Sequence, residues 1–231
     1  MSCLTVVQRT CQRLGLSVPA AVVTSTDQQV LQMLALLNEE GEELSERYPW
    51  SVMDLEATFT TVATPADMVT VAPGFKYLIN DTMWDRTENT RIVPINAREW
   101  QQVLSGNVAG AYTRFRIWQG AIYFYPDLAA GHDIAFEYQS KNWVLLASDG
   151  STASAFAADA DVALLDEAIM TMGLIWRFKQ AKGFAYDEDF NKYERRVMDA
   201  MGRDGSKQRL DAGGTDRQLA ITIPEGNWPL P

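Results

Sequence analysis

Residues 161–201 carry two consecutive helical patterns joined at Lys182-Gly183, and the first is apolar on almost every side. Apolar residues recur there at steps of three and four along two neighbouring stripes. The first stripe is Val162, Leu165, Ile169, Met172 and Trp176, and the second is Leu164, Ala168, Thr171, Ile175 and Phe178. Such a helix must be buried against several neighbours, within one subunit or between subunits. Because the rest of the chain is more polar and more interrupted, we expect it to cover this helix only incompletely.

Composition and charge limit the class of protein. Of 231 residues, 47% are hydrophobic and 10% are aromatic, so the chain can bury a sizeable core and is not disordered throughout. The formal net charge of −10 argues against a protein that grips nucleic acid by neutralising phosphates. It is compatible with a protein past which nucleic acid slides, because like charge prevents sticking.

The cysteines and the lengths of the apolar runs indicate the cellular compartment in which we expect the protein to be made. Cys3 and Cys11 fall on one predicted helix about 12 Å apart, too far to bridge each other, which is typical of thiols in a reducing environment. The chain has no signal-peptide pattern, and no apolar run approaches the roughly 18 residues of a membrane span. We therefore expect a protein that is made or assembled in a cytosol and has no membrane partner.

Helical periodicity marks both ends of the chain. A short amphipathic helix is predicted over residues 2–15, where Gly15 stops it. A second helix is predicted to begin after a cap at Thr26 or Asp27 and to run to about Arg47. The apolar helix after Asp161 and its acidic successor complete the helical set.

Period-two alternation marks the middle of the chain. The Gln119-Gly120 pair predicts the turn of a hairpin, because glycine supplies a positive φ there. The predicted strands centre on Leu55, Ala57 and Phe59, on Val69 and Val71, on residues 114–118 and 121–125, and on Ile134, Phe136 and Tyr138, with a short helix from Asn96 to Leu104.

These patterns predict an α+β fold with an inserted domain. Residues 1–49 and 155–204 form an α-helical bundle built from both chain ends. Residues 50–146 form an antiparallel β domain, and the small-residue stretch 147–154 is a linker back to the bundle. Residues 205–231 form an extended C-terminal arm.

The sequence offers little enzyme chemistry. His132 is the single histidine and lies in a pattern typical of an exposed turn, so a triad has no other base to use. One histidine and two distant cysteines do not make a structural zinc site, and no phosphate-binding glycine motif is present. We expect no catalytic residue, no metal and no cofactor.

Two other classes of function stay open on the residues alone. A carboxylate pair among Asp81, Asp85 and Glu88 could serve a hydrolase of cell-wall glycan. The aromatic residues of the β domain could build a carbohydrate-binding module. Together with Arg114 and Arg116 they resemble a nucleic-acid stacking platform, but the acidic net charge favours a protein–protein face.

The second helix carries the densest charge. Glu39, Glu40, Glu42, Glu43 and Glu46 are opposed only by Arg47 in the local sequence. Glu39, Glu43 and Glu46 step by four and three residues and therefore share one face. That face is either a solvated outer surface or a negative wall that lines a channel in a ring.

The C-terminal arm is apolar at two points. Residues 219–223 form a good strand seed, and Trp228 lies in an apolar ending, Trp-Pro-Leu-Pro. An arm that adds a strand to a partner's sheet, or places a tryptophan in a partner's pocket, fits this pattern better than a frayed terminus does.

Four features resemble the head-to-tail adaptor proteins of tailed bacteriophages, the ring-forming connectors beneath the portal of short-tailed phages. The first helix ends Arg13-Leu14-Gly15 before a proline loop, and the second ends Arg47-Tyr48-Pro49-Trp50 and leads into strands. The run from Gly173 to Gly183, GLIWRFKQAKG, precedes an acidic aromatic helix and is the most specific of the four. The extended C-terminal arm is the last.

The resemblance implies a structural virion protein without an active site. It implies a ring of about a dozen copies that docks under the portal, extends the DNA channel without binding DNA specifically, and provides a platform for tail nozzle or tail-fibre proteins. The protein would lie in the tail or neck of the virion and occupy the host cytoplasm during assembly.

The resemblance also assigns residues to these roles. Leu219, Ile221, Ile223 and Trp228 would bind the portal, and Glu39, Glu43 and Glu46 would face the channel. Core and subunit interface would share Leu165, Ile169, Met172, Ile175, Trp176 and Phe178.

Overall fold

The computed structural model describes residues 2–62, 66–106 and 112–204. Its helices are α1 (Cys3–Leu14), α2 (Gln28–Arg47), α3 (Met68–Val71), α4 (Ala97–Gly106), α5 (Glu167–Ala181) and α6 (Asp187–Asp204), with a 3-10 turn at Ser51–Met53. Its strands are β1 (Asp54–Thr60), β2 (Ala66–Asp67), β3 (Phe75–Leu78), β4 (Trp84–Asp85), β5 (Thr90–Arg91), β6 (Val93–Pro94), β7 (Arg114–Trp118), β8 (Ala121–Tyr125), β9 (Asp133–Ser140), β10 (Val144–Leu145), β11 (Thr152–Ala153) and β12 (Val162–Ala163). The predicted α+β class is confirmed.

Side-chain caps fix where the long helices begin. The Ser2 hydroxyl accepts a hydrogen bond from the Thr5 N–H at the start of α1, and Asp27 accepts one from the Gln29 N–H at 2.9 Å. Gly15 ends α1 with a φ of 70°, a conformation that costs glycine little. In α4, Asn96 and Glu99 each accept a hydrogen bond from the other's backbone N–H, so this helix starts with a capping box.

The apolar helix begins later than its sequence pattern predicts. Asp166 caps α5 by accepting a hydrogen bond from the Ala168 N–H at 2.7 Å. Upstream of this cap, Val162 and Ala163 pair with β10 as strand β12. The prediction of a helix from Asp161 is therefore wrong for its first six residues, because pairing with β10 satisfies the backbone there.

The strand predicted at Val69 and Val71 is also wrong. Residues 68–71 form the single turn α3, closed by a 2.9 Å hydrogen bond from the Ala72 N–H to the Met68 carbonyl. Met68 and Ala72 are both buried, and their four-residue spacing brings both to one side of the turn. Burial of this pair outweighs the β propensity of valine.

The described strands form three sheets. The first sheet has the order β1-β9-β4-β5, and β3 also pairs with β9. The second has the order β2-β8-β7-β6, and the third is the small sheet β11-β10-β12. All pairs are antiparallel except β6 with β7, which is parallel, so the prediction of a wholly antiparallel domain needs this correction.

The predicted hairpin is confirmed. β7 and β8 pair in register around Gln119 and Gly120, whose φ angles are 49° and 76°. Positive φ at both positions is the geometry of the tight turn that matches strand twist. The hairpin therefore presents Phe115, Ile122 and Phe124 inward and the alternating residues outward.

Two hydrophobic clusters make the core. One gathers α1, α2, α5 and α6 with Trp50, Met53 and Trp143. The other lies between the first and second sheets, where the rings of Phe59 and Phe124 are 6.4 Å apart. Residues 147–154, predicted as a linker, include strand β11.

One chain covers α5 by itself. The helix packs against α1, α2 and α6, and most of its residues are buried on every side. The expectation that the rest of the chain covers it only incompletely is wrong, because the helices of both chain ends surround it. Its apolar character therefore does not require a neighbouring subunit.

Candidate functional site

A buried arginine on α5 holds three glutamates of α2. The guanidinium of Arg177 donates from Nε to Glu40 at 2.6 Å and from Nη1 to Glu39 at 2.7 Å. Its second Nη group donates to Glu43. The Arg177 side chain is 6% exposed and Glu40 is fully buried, whereas Glu39 and Glu43 reach solvent. The cluster binds the two helices together and carries a net negative charge.

Packing around this cluster is close. A Cβ added at Gly173 would lie 2.2 Å from the Glu40 carboxylate, so a larger residue at this point of α5 requires the buried Glu40 side chain to move. On the α6 side, burial and the neighbouring Glu40 carboxylate raise the pKa of Tyr193. The plane of Arg177 also lies over the ring of Trp176, with its central carbon 4.7 Å from the ring centre.

The predicted charge pattern of α2 changes accordingly. The expectation that Arg47 alone opposes the glutamates is wrong, because Arg177 neutralises part of their charge from another helix. Arg47 instead donates to Glu194 of α6 at 2.7 Å, and this hydrogen bond lowers the pKa of Glu194. Glu46 is exposed and makes no ion pair with any residue in the described part of the chain.

The signal for this arrangement was present in the sequence. Arg177 is a charge in the most apolar part of its helix, between Trp176 and Phe178, and a charge that is buried there needs an internal partner. Its glycine one turn earlier, Gly173, marks the point of close approach.

Of the six residues predicted for core and subunit interface, all except Ile175 belong to the helical cluster or pack against it. Leu165, Ile169, Ile175, Trp176 and Phe178 are buried, and Met172 is half-buried. Trp176 is surrounded by the rings of Tyr186, Phe190 and Tyr193 from the α6 side. A contact between subunits through these side chains stays a prediction.

The predicted portal-binding residues Leu219, Ile221, Ile223 and Trp228 lie outside the described residues. The last described residue before them is held in place by hydrogen bonds. The carboxylate of Asp204, at the end of α6, accepts hydrogen bonds from the N–H of Ser51 at 2.8 Å and from its hydroxyl at 2.7 Å. A cleft of about 360 Å³ lies beside it, lined in part by Trp50, Val52 and Leu165.

The acidic candidates for a hydrolase do not converge. Asp85 is buried, and its carboxylate accepts from the N–H groups of Thr87 and Glu88 and lies 2.6 Å from Nδ1 of His132. These contacts hold two turns together. They correct the prediction that His132 lies exposed in its turn, because its side chain is half-buried. Asp81 is exposed and lines a cleft of about 560 Å³ that neither Asp85 nor Glu88 reaches.

The aromatic residues divide between core and surface. Phe115 and Phe124 are buried, whereas Trp84 and Trp118 are 43% and 47% exposed. Trp118 packs at 5.8 Å from Tyr123, and the guanidinium of Arg116 lies 5.4 Å from the Trp118 ring centre.

Residues 2–62, 66–106 and 112–204 contain no cluster of three or more metal-binding side chains. Within the same ranges, no helix combines the length and apolarity needed to cross a bilayer.

The chain matches a known protein family over most of its length. Residues 1–220 match the family model described as SU10 adaptor protein, which covers both helical ends and the β structure between them. A comparison with curated proteins finds no match. The family match confirms the resemblance drawn from the Gly173–Gly183 run and its neighbours. The chain therefore belongs to the SU10 adaptor protein family and is a phage adaptor protein, a structural component of the virion that contacts other phage head and tail proteins.

Proposed function

We propose that this protein is the head-to-tail adaptor that docks under the portal as a ring of about a dozen copies. The ring extends the DNA channel and provides the attachment platform for tail nozzle or tail-fibre proteins. The observation that carries the proposal is the family match over residues 1–220.

The helical frame supports this role. A ring under a pressurised capsid needs subunits that keep their shape. The buried Arg177 cluster joins α2 to α5, and apolar packing adds α1 and α6. The hydrogen bonds of the Arg177 cluster form only when α2 and α5 are both in place, which favours one rigid arrangement of the two helices.

The charge supports passage of DNA without adhesion. The chain carries −10, and Glu39, Glu43 and Glu46 all reach solvent on α2. We propose that this side of α2 faces the channel, where a negative surface repels the phosphate backbone.

The fixed exit of the arm supports portal binding. Asp204 is held to Ser51, so residues 205–231 start from one defined place on every subunit. We propose that Leu219, Ile221, Ile223 and Trp228 bind the portal by strand addition and by insertion of the tryptophan.

The experiment is co-expression with the portal protein of the same phage. A tagged portal is expected to retain the adaptor through affinity purification and size exclusion. The two alternative functions are tested on the same preparation with purified cell-wall glycan. Free adaptor in the presence of assembled portal would contradict the proposal. So would glycan cleavage lost on Asp85→Asn, or glycan binding that quenches tryptophan fluorescence.

A further inference from the structure

The outer face of the β7–β8 hairpin gathers cationic and aromatic side chains on an acidic chain. Arg114 and Arg116 are half-buried there and Trp118 is exposed, and Trp100 of α4 packs 6.3 Å from the ring of Tyr123 on the same face. Arg114 lies opposite Tyr125, Arg116 opposite Tyr123 and Trp118 opposite Ala121 across the hairpin. Within the described residues, neither Arg114 nor Arg116 makes an ion pair with a carboxylate. We call Arg114, Arg116 and Trp118 the hairpin face.

The outer face of the first sheet has the opposite charge. Glu56 and Glu137 lie directly across from each other on β1 and β9, a placement that like charges disfavour. Arg86 pairs with Glu56, but Asp81 and Glu137 have no cation partner among the residues that the structure describes. With the exposed Trp84 they line the cleft of about 560 Å³, which we call the acidic cleft.

The two surfaces point away from each other. The inner residues of both sheets pack in the same cluster, where Phe59 of the first sheet meets Phe124 of the second. Glu137 lies on the outer side of the first sheet, and Arg116 lies on the outer side of the second. One chain therefore cannot bring its own hairpin face into its own acidic cleft without unfolding the cluster between them.

We propose that the hairpin face of one copy docks on the acidic cleft of the next copy. The inference rests on the proposed ring and identifies the surfaces that would build it. Two different surfaces on opposite sides of one domain make a head-to-tail contact, and such contacts close into rings when the rotation permits. Tryptophan, tyrosine and arginine are the residues that dominate binding at interfaces.

The charge and the volume of the acidic cleft both fit the hairpin face of a second copy. Arg116 and Arg114 would supply the cations that Glu137 and Asp81 lack, and relief of the Glu56–Glu137 repulsion would favour the contact. The cleft volume lies in the range, about 300–1,000 Å³, of pockets that enclose a ligand-sized group. A single indole such as that of Trp118 fits such a space.

Charge reversal on each side tests the contact. Arg116→Glu and Glu137→Arg are each expected to lower ring formation on the portal by about tenfold or more. In an equimolar mixture, the hairpin face of each variant meets the cleft of the other with opposite charge. Native mass spectrometry should therefore find mixed assemblies in which the two variants alternate, although neither variant assembles well alone. The chain that carries both substitutions should recover ring formation. Arg98→Glu and Glu88→Arg, at exposed sites elsewhere, are the charge-matched controls.

The outcomes separate the two proposals. Wild-type rings on the portal together with undiminished rings from Arg116→Glu and Glu137→Arg would overturn this contact and leave the proposed function standing. A wild-type chain that never assembles on the portal would overturn both. If the wild type binds a short DNA duplex and Arg116→Glu does not, the hairpin face is a nucleic-acid surface and the inference is overturned. Matching circular dichroism melts show that the variants fold.

Discussion

At the residue scale, the Arg177 cluster is the point on which the helical frame depends. A guanidinium that is 6% exposed is tolerated because three carboxylates receive its N–H groups. Glu40 in turn is buried and has Arg177 as its cation partner. Removing Arg177 leaves Glu40 buried without a cation, whereas removing Glu40 leaves Arg177 paired with Glu39 and Glu43.

Arg177→Met is expected to lower the free energy of unfolding by about 3–5 kcal/mol, because Glu40 then stays buried without a cation. Arg47→Met removes a partly exposed pair with Glu194 and should cost about 1 kcal/mol or less. Adding Glu40→Met to Arg177→Met should recover most of the loss. Denaturant unfolding measures all three variants, and equal losses for Arg177→Met and Arg47→Met would contradict the account.

Gly173→Ala is expected to destabilise the fold by about 1–3 kcal/mol, because the added methyl group meets the Glu40 carboxylate. Gly202→Ala is the matched control. This glycine also lies in a helix, but nothing stands within 4 Å of its added Cβ, so the change should stabilise by about 0.5–1 kcal/mol. Thermal melts that shift in the same direction for both variants would refute the packing argument.

At the element scale, a buried aspartate organises the segment that leads into α5. The Asp161 carboxylate accepts backbone N–H bonds from Ala147 at 3.0 Å, Ala157 at 2.8 Å and Ala158 at 2.7 Å. Burial by itself raises the pKa of Asp161, but the three donors outweigh it, so the pKa lies below its usual value. The segment that precedes α5 is thereby held in a fixed path.

The lowered pKa of Asp161 predicts an acid-dependent stability. The stabilisation is complete above the ordinary aspartate value, about 3.9, and is lost as the pH falls from there towards the folded-state pKa. Asp161→Asn should therefore lower stability at neutral pH and flatten its decline in acid. Asp199→Asn, on the exposed side of α6, is the control. An unchanged acid dependence of unfolding in Asp161→Asn would exclude this role.

Sequence patterns predicted correctly the elements whose structure is determined by turn and cap residues within the element itself. The β7–β8 hairpin follows from Gln119-Gly120, and α4 follows from the Asn96 cap. The start of α5 and the turn α3 could not be predicted in this way. They depend on tertiary contacts, namely the pairing of Val162 with β10 and the burial of Met68.

The same limit applies to the candidate site. The position of Arg177 between two apolar residues indicates that a buried partner exists, but its partners lie on α2, 134 to 138 positions away along the chain. Spacing along one helix cannot reveal such a pairing. The face shared by Glu39, Glu43 and Glu46 was readable from their steps of four and three, whereas the neutralisation from α5 was not.

At the scale of the whole molecule, the helical cluster is distinct from the surfaces that we propose bind partners. The helical cluster covers its own apolar helix, so the surfaces outside the cluster are the further candidates for association. The candidates among the described residues are the hairpin face and the acidic cleft, and we propose that the segment after Asp204 is a third.

Deletion of residues 205–231 is expected to leave the fold intact and to abolish portal binding. The helical cluster is complete at Asp204, which Ser51 already holds, so the melting temperature should change little. Binding to immobilised portal measures the loss. Portal binding equal to that of the full chain would show that the arm is not the contact.

The mass and shape of the complex with assembled portal test the central claim most directly. Native mass spectrometry with negative-stain microscopy should find a closed ring of about a dozen adaptor copies on each portal, around an open axial channel. A chain that stays monomeric in the presence of assembled portal would contradict the account.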